Sequence, residues 1–398
     1  MPKGIRISLL GASDEVLGRS LAIRIRGKSM MTPAAPVSLR KGRYIGSRYV
    51  DVAEVGVEIN KKRVRLVMKL TPEVFREVLE QSIRKRTESF LLPNSTIKVA
   101  IVGFRLYGES IDPNYIITAA RELGHALGNL INDGLIDITC SPFIDGKNAA
   151  EIKDKIVTAF YNAVSEVTDL PSVAHLVRLE TYEKDKELIA AVMDFPVFID
   201  NMLCIDFGAS NPVAKFPQYK EVLDDLVRNE ESDNELILRY GVNVQYSRAK
   251  SRKGKLPARD LLGYYFGLDL VGENHRIIGF GSRPPAENLR SQAKILIRKS
   301  YGYFNIDTAF KERREAVIEE YGGTLTQNLA RIISEKDISV INTLSRQNFV
   351  KEVKGPITQL MSGKGYRHYD SALDYLRSKD VIKWHDDKAL KFLTKLVE

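Results

Sequence analysis

Apolar and polar residues alternate through much of the first ninety positions, the period of a half-buried strand. Ile5-Arg6-Ile7-Ser8-Leu9 and Leu21-Ala22-Ile23-Arg24-Ile25-Arg26 both follow it. Val55-Gly56-Val57-Glu58-Ile59, then Asn60-Lys61-Lys62, then Val64-Arg65-Leu66-Val67-Met68 reads as a hairpin with a basic turn. Thr71-Pro72-Glu73 opens a helix, with Thr as N-cap and Pro at the first helical position. That helix places Val74, Phe75, Val78, Leu79 and Ile83 on one face and ends in Arg84-Lys85-Arg86. Residues 1–95 are therefore expected to form a strand-rich unit with one helix.

The pattern then changes to strands and helices in alternation. Strands are expected at Ile97–Val102, Leu135–Cys140, Ser172–Leu179, Val197–Asp206 (as one or two pieces), Glu235–Val244 and Leu268–Val271. Helices are expected near 113–132, 148–168, 182–193, 217–229 and 258–266. At least six successive β-then-α units predict a parallel sheet with right-handed crossovers. Closure into a β/α-barrel over residues 96–325 fits the usual size of that fold, about 250 residues. A doubly wound open sheet is the alternative, but no G-x-G-x-x-G follows a strand and no Walker-type phosphate loop is present. Residues 326–398 read as a small helical module, winged-helix-like in outline, with a basic aromatic loop at Gly363–Tyr369.

Composition narrows the class without choosing a function. The chain of 398 residues is 44% hydrophobic and 28% charged, as an ordinary globular protein of two or three domains is. No apolar run approaches the roughly 20 residues of a membrane span, and no secretory leader is expected. Cys140 and Cys204 are the only cysteines, too few for a disulfide framework or a Cys-rich zinc site, so a reducing cytoplasm is the expected setting. No two of the five histidines have metal-ligand spacing. Neither a metal nor another cofactor is expected. The net charge of +9, from 60 basic and 51 acidic residues, favours a polyanionic partner such as nucleic acid. A homo-oligomer is compatible with all of this.

In a barrel the strand ends and following loops carry the chemistry. Those positions hold Asp145, Glu180, Asp200, Asp206, Asp269, Glu273 and His275. Carboxylates in this number suit acid–base chemistry or a carboxylate nucleophile, although each also reads as a helix cap or a surface ion-pair partner. In Ile205-Asp206-Phe207-Gly208-Ala209 a strand delivers an acid into a small-residue loop, where a ligand can approach the backbone at Gly208; a tight turn capped by Asp206 explains the same residues. His275, behind Gly272-Glu273-Asn274, is a candidate general base. Arg248, Lys250, Arg252, Lys253, Lys255 and Arg259 form a basic loop suited to phosphate backbone, or to plain solvation.

Several of these segments resemble the guanine transglycosylases. Arg259-Asp260-Leu261-Leu262 through Gly267-Leu268-Asp269-Leu270, followed by Arg298-Lys299-Ser300-Tyr301-Gly302-Tyr303, is similar to that family's last barrel strand. Gly18-Arg19, Arg26-Gly27-Lys28 and Thr32-Pro33-Ala34 resemble its opening hairpin, and Asp206-Phe207-Gly208-Ala209 its Asp-Ser-Gly-Gly loop. The resemblance implies a barrel that exchanges guanine in tRNA or DNA for a 7-deazaguanine. One Asp would act as nucleophile at the ribose carbon and a second would move protons. The family's zinc-binding Cys cluster is missing, and Gly272 stands where its nucleophile would align, which leaves Glu273 or Asp269 for that role.

The leading expectation is thus a transglycosylase-like enzyme, with Asp206, Asp269, Glu273 and His275 catalytic and Glu180, Asp200 and Gly208 binding substrate. A non-catalytic nucleic-acid-binding or assembly subunit on a barrel scaffold is the first alternative. A barrel enzyme for a small acidic or phosphorylated metabolite is the second.

Overall fold

The computed structural model describes residues 5–39, 50–107, 111–146, 151–245, 254–276, 293–322, 325, 338–385 and 389–393. An antiparallel sheet opens the chain: β1 (Ile5–Ala12), β2 (Arg19–Ile25) and β3 (Lys28–Met31). The barrel strands follow as β4 (Val37–Ser38), β5 (Val52–Asn60), β6 (Ile97–Arg105), β7 (Ile138–Cys140), β8 (Phe143–Asp145), β9 (Val173–Arg178), β10 (Phe198–Ser210) and β11 (Leu238–Val244). β12 (Lys255–Pro257) leaves the barrel, and β13 (Leu270–Val271) returns to it. All neighbours in the barrel sheet are parallel, in the order β13-β11-β10-β9-β7-β6-β5-β4, with β8 continuing β7's place beside β6. A parallel bridge between Ala34 and Leu270 brings the last strand to the first, and Ala34 N–H donates to Asp269 O at 3.1 Å. The fold is the expected β/α-barrel.

The barrel takes in more of the N-terminal region than the sequence pattern suggested. β5 pairs with β6 along its whole length, from Val52–Ile97 to Asn60–Arg105, so a boundary at 95/96 separates two strands of one sheet. The expected hairpin after Asn60 is instead a helix, α1 (Lys61–Val67), because the Asn60 side chain accepts the Arg63 N–H and caps it. Next comes α2 (Pro72–Glu88), opened by Thr71 and Pro72 as anticipated, with Phe75, Leu79 and Ile83 buried. Helices α3 (Pro113–Asn132), α4 (Lys153–Ser165), α5 (Tyr182–Val192) and α6 (Phe216–Asp233) cover the sheet further along.

Inside the barrel lie Ile101, Cys140, Phe143, Leu176, Cys204 and Tyr240, all buried. The two cysteine sulfurs meet at 3.1 Å as free thiols, and burial raises the Cys140 pKa, which keeps that thiol unreactive. The same cluster contains Leu21, Ile23, Ile25 and Met30, packed with the opening residues of the strands: Val52, Ile97, Ile138, Leu238 and Leu270. The N-terminal sheet therefore plugs the amino end of the barrel.

The carboxyl end is roofed by a second unit. β12 joins β14 (Lys294–Ile297) and β15 (Gly302–Asn305) in an antiparallel sheet of order β12-β15-β14. Around it pack α7 (Ile306–Glu312) and α8 (Ile338–Glu352), over a core of Ile295, Ile297, Phe304, Ile306 and Ile341. Residues 298–301, read from the sequence as part of a last barrel strand, are the turn between β14 and β15. Among the described residues no helix is long and apolar enough to cross a membrane.

Candidate active site at the barrel mouth

A cavity of about 840 Å³ lies where the carboxyl ends of the strands face the second unit. β4 and β5 contribute Ser38, Gly56 and Glu58 to its walls, while α1 and α2 contribute Arg63 and Arg86. The chain after β13 adds Gly272 to Arg276, and the roof supplies Asp260, Lys294, Tyr303 and Arg346. Its size suits a nucleotide-sized ligand.

Glu54 organises this floor. It points inward from β5 and is fully buried, yet three groups converge on its carboxylate. Tyr240 O–H donates to Oε1, Glu273 N–H donates to Oε2 at 3.0 Å, and His275 Nε2 lies 2.9 Å from Oε2. A carboxylate facing Nε2 favours the tautomer protonated there, which leaves the lone pair on Nδ1. Nδ1 has no hydrogen-bond partner among the described residues. It sits over Gly56, where an added Cβ would come within 2.5 Å of it. At Gly272 an added Cβ would stand 2.1 Å from Glu54 Oε1. Two glycines thus leave the room that the carboxylate and the imidazole occupy. Gly272, where the resemblance would put a nucleophilic acid, is filled from across the mouth by Glu54.

Glu273 stands beside this pair. Its Oε1 accepts the Ser38 N–H at 3.0 Å and lies 3.4 Å from Arg346 Nε, so a residue of the roof holds a residue of the barrel. Arg346 also donates to the carbonyls of Pro36 and Val271, at 3.3 Å for the latter, and stacks on Phe349 at 4.2 Å. Asp260 accepts the Tyr303 O–H at 2.7 Å, and burial pushes its carboxyl pKa up to about 6 against that bond. A wall carboxyl poised near neutrality is suited to donate a proton.

Asp206 lies deeper and is also fully buried. It accepts Gly208 N–H and Asn243 Nδ2 at 2.9 Å each, and pairs with Arg276 Nη2. Arg276 bridges onward to Asp145 at 2.8 Å and stacks over Phe143 at 4.9 Å. Gly208 and Ala209 both have φ of +60°, which folds the chain back so that Gly208 can reach Asp206. These residues are an irregularity inside β10, where its pairing with β11 shifts between Asp206 and Ser210, and not a loop after the strand; the Asp206–Gly208 hydrogen bond is that of the tight turn. Glu180 sits nearby, bound to Lys215 at 2.8 Å and Arg178 at 3.1 Å. Burial alone would raise its pKa, but these two cations hold it below the ordinary value.

Two sequence candidates lie elsewhere. Asp269 precedes β13 rather than following it and is buried at the amino end. Both its oxygens pair with Arg19, at 3.0 Å each, and Oδ2 also accepts Arg239 N–H at 2.8 Å. Asp200 is exposed near the start of β10, also at the amino end. Of the basic loop, Arg248, Lys250, Arg252 and Lys253 lie outside the described residues. Lys255 pairs with Glu312, and Arg259 is half-buried.

The structure therefore brings Asp206, Gly208, Glu180, Glu273 and His275 to one end of the barrel and leaves Asp200 and Asp269 at the other. Glu54 and Arg346 were not singled out from the sequence, and Asp260 and Arg276, although within a stretch that was, were not named as site residues. Among the described residues no group of three or more His, Cys, Asp or Glu could hold a metal ion. No family model and no curated protein sequence matches the chain.

Proposed function

We propose that this protein is an enzyme acting on a glycosidic bond to a purine-like base in nucleic acid, with the reaction held at the barrel mouth. The observation that carries this reading is the Glu54–His275 pair. A buried carboxylate orients an imidazole whose free nitrogen lies over cavity-lining Gly56, and the same carboxylate holds the backbone of Glu273. In this reading Glu273 attacks the ribose carbon as its bond to the base nitrogen breaks. The leaving base takes a proton, for which Asp260 is the wall group of suitable pKa. His275 then accepts the proton of the incoming base or water that displaces Glu273. Asp206 keeps a positioning role, since Arg276, Asn243 and Gly208 already occupy its oxygens. The base must leave its stack to enter the cavity.

The test is incorporation or release of labelled guanine with tRNA, duplex DNA and single-stranded DNA. Wild type is expected to act on one of them, and Glu273→Gln to abolish turnover while leaving binding intact. Full activity in Glu273→Gln would remove the nucleophile and this reading with it. A barrel enzyme for a small phosphorylated metabolite is the second reading, favoured by the roof residues Arg346 and Tyr303 that line the cavity with the barrel. It requires turnover of a free nucleotide or sugar phosphate with none on polynucleotide.

A further inference from the structure

Among the described residues four guanidinium groups line the cavity: Arg63, Arg86, Arg276 and Arg346. Two of them are neutralised in place. Arg276 pairs with Asp145 and Asp206, and Arg346 with Glu273. Arg63 and Arg86 have no carboxylate partner among the described residues. Each has one arm fixed to a backbone carbonyl near the end of β5: Arg63 Nη1 donates to Glu58 O at 2.7 Å, and Arg86 Nη1 to Gly56 O. Glu58, which also lines the cavity, pairs with Arg105 at 3.4 Å and acts on Arg63 through its charge without bonding it.

We propose that Arg63 and Arg86 form a phosphate-binding subsite on the wall of the cavity, beside the His275 imidazole. The guanidinium fork matches the spacing of phosphate oxygens, and the carbonyl bonds pre-set both side chains while leaving N–H groups unspent. The two helices carrying them, α1 and α2, give the site a rigid base. Gly56 links the subsite to the reaction centre, since its carbonyl holds Arg86 and its missing side chain makes room for His275. Burial and the charge of Arg86 both draw the Arg63 pKa below its ordinary value, and burial does the same for Arg86. A bound dianion relieves that repulsion. The subsite extends the proposed reading by naming what anchors the substrate, but its test reads binding rather than base exchange.

Calorimetric titration of the full chain at fixed ionic strength, with inorganic phosphate, a nucleoside 5′-monophosphate, the parent nucleoside and a single-stranded oligonucleotide, decides the matter. Inorganic phosphate is expected to bind, and the monophosphate to bind more tightly than its nucleoside. In Arg63→Gln/Arg86→Gln that advantage should fall by about tenfold or more, the scale of one lost charge-assisted hydrogen bond. Should the double variant not fold, Arg63→Lys and Arg86→Lys keep the charge but not the fork, and each should still weaken phosphate measurably. Preference for the oligonucleotide over the monophosphate would mark the phosphate as a phosphodiester, and the reverse as a phosphomonoester. No phosphate binding by wild type, or unchanged affinity in the variants, overturns the subsite. An absence of base exchange with phosphate binding intact overturns only the proposed reaction.

Discussion

The two ends of the barrel carry similar residues put to opposite uses. At the amino end Arg19 grips both oxygens of Asp269, meets Glu230 at 2.8 Å and donates to Ile237 O at 2.5 Å, while Arg239 closes the circuit on Glu230 at 2.5 Å. Every charge in that group has an opposite partner, although Arg239 Nε and the Tyr219 hydroxyl are left without a hydrogen bond, and the N-terminal sheet covers the group. At the carboxyl end the ion pairs are left incomplete. Asp145 Oδ2 and Arg276 Nε have no partner, and Arg63 and Arg86 lack a counter-ion among the described residues. An unsatisfied buried polar atom costs stability wherever it lies, and both ends carry some. What sets the carboxyl end apart is a pair of cavity-lining cations, Arg63 and Arg86, with no carboxylate partner among the described residues.

The largest effect separating the two ends should come from Arg19→Met. It strands Asp269 without its guanidinium and should cost about 3–5 kcal/mol of unfolding free energy, read by chemical denaturation. A loss under 1 kcal/mol would mean the amino end is not the structural anchor described.

Asp260→Asn comes next. The folded-state pKa of about 6 lies above the ordinary aspartate value of 3.8, so between those pH values the folded state binds more protons than the unfolded one. Stability therefore falls as pH rises from about 4 to about 6, and the loss stays in full above that. The Asn variant should lack this slope and be more stable at pH 7, by about 3 kcal/mol at most at 1.36 kcal/mol per unit. Parallel stability–pH curves for the two proteins would contradict the buried-acid assignment.

Gly56→Ala should cost about 1–3 kcal/mol, as overpacking does. It should also push the imidazole off Glu54, visible as a shifted His275 ring resonance in NMR. An unmoved resonance would show that the glycine is not what admits the ring. The smallest effect on stability belongs to His275→Gln, expected within about 1 kcal/mol of wild type because the amide can still donate to Glu54. On the proposed reaction it should be severe, slowing turnover by about 10²–10⁴-fold. An unchanged turnover rate would take His275 out of the proton path.

Much of the barrel was legible in the alternation of strands and helices from Ile97 onward, because strands buried on both faces read as apolar runs. Of its first two strands one was missed, and the other, read as a hairpin strand at Val55–Ile59, was not assigned to the barrel. Val37–Ser38 is too short to show a period, and Val52–Asn60 carries Glu54 and Glu58 at positions that look like a solvent face. Lys61–Val67 alternates like a strand, and only the Asn60 cap marks the helix. Glu273 and His275 were within reach, since they directly follow an apolar strand. Asp269 was placed at the wrong end because the sequence shows Leu268-Asp269-Leu270-Val271 but not which two residues are paired. Glu54 could not be found locally: its partners Tyr240, Glu273 and His275 stand 186, 219 and 221 residues away.

The contact between Arg19 and Asp269 spans 250 residues. During synthesis the N-terminal sheet emerges long before β13 exists, and its apolar face has no partner until the strands are assembled around it. Contacts of such separation form slowly, since the intervening loop must be closed before they reward the chain. The sheet is thus made well before the strand that completes its seat. Until then Leu21, Ile23 and Ile25 have no barrel floor to pack on, so the part-folded chain carries its sticky apolar surface at the end opposite to the cavity.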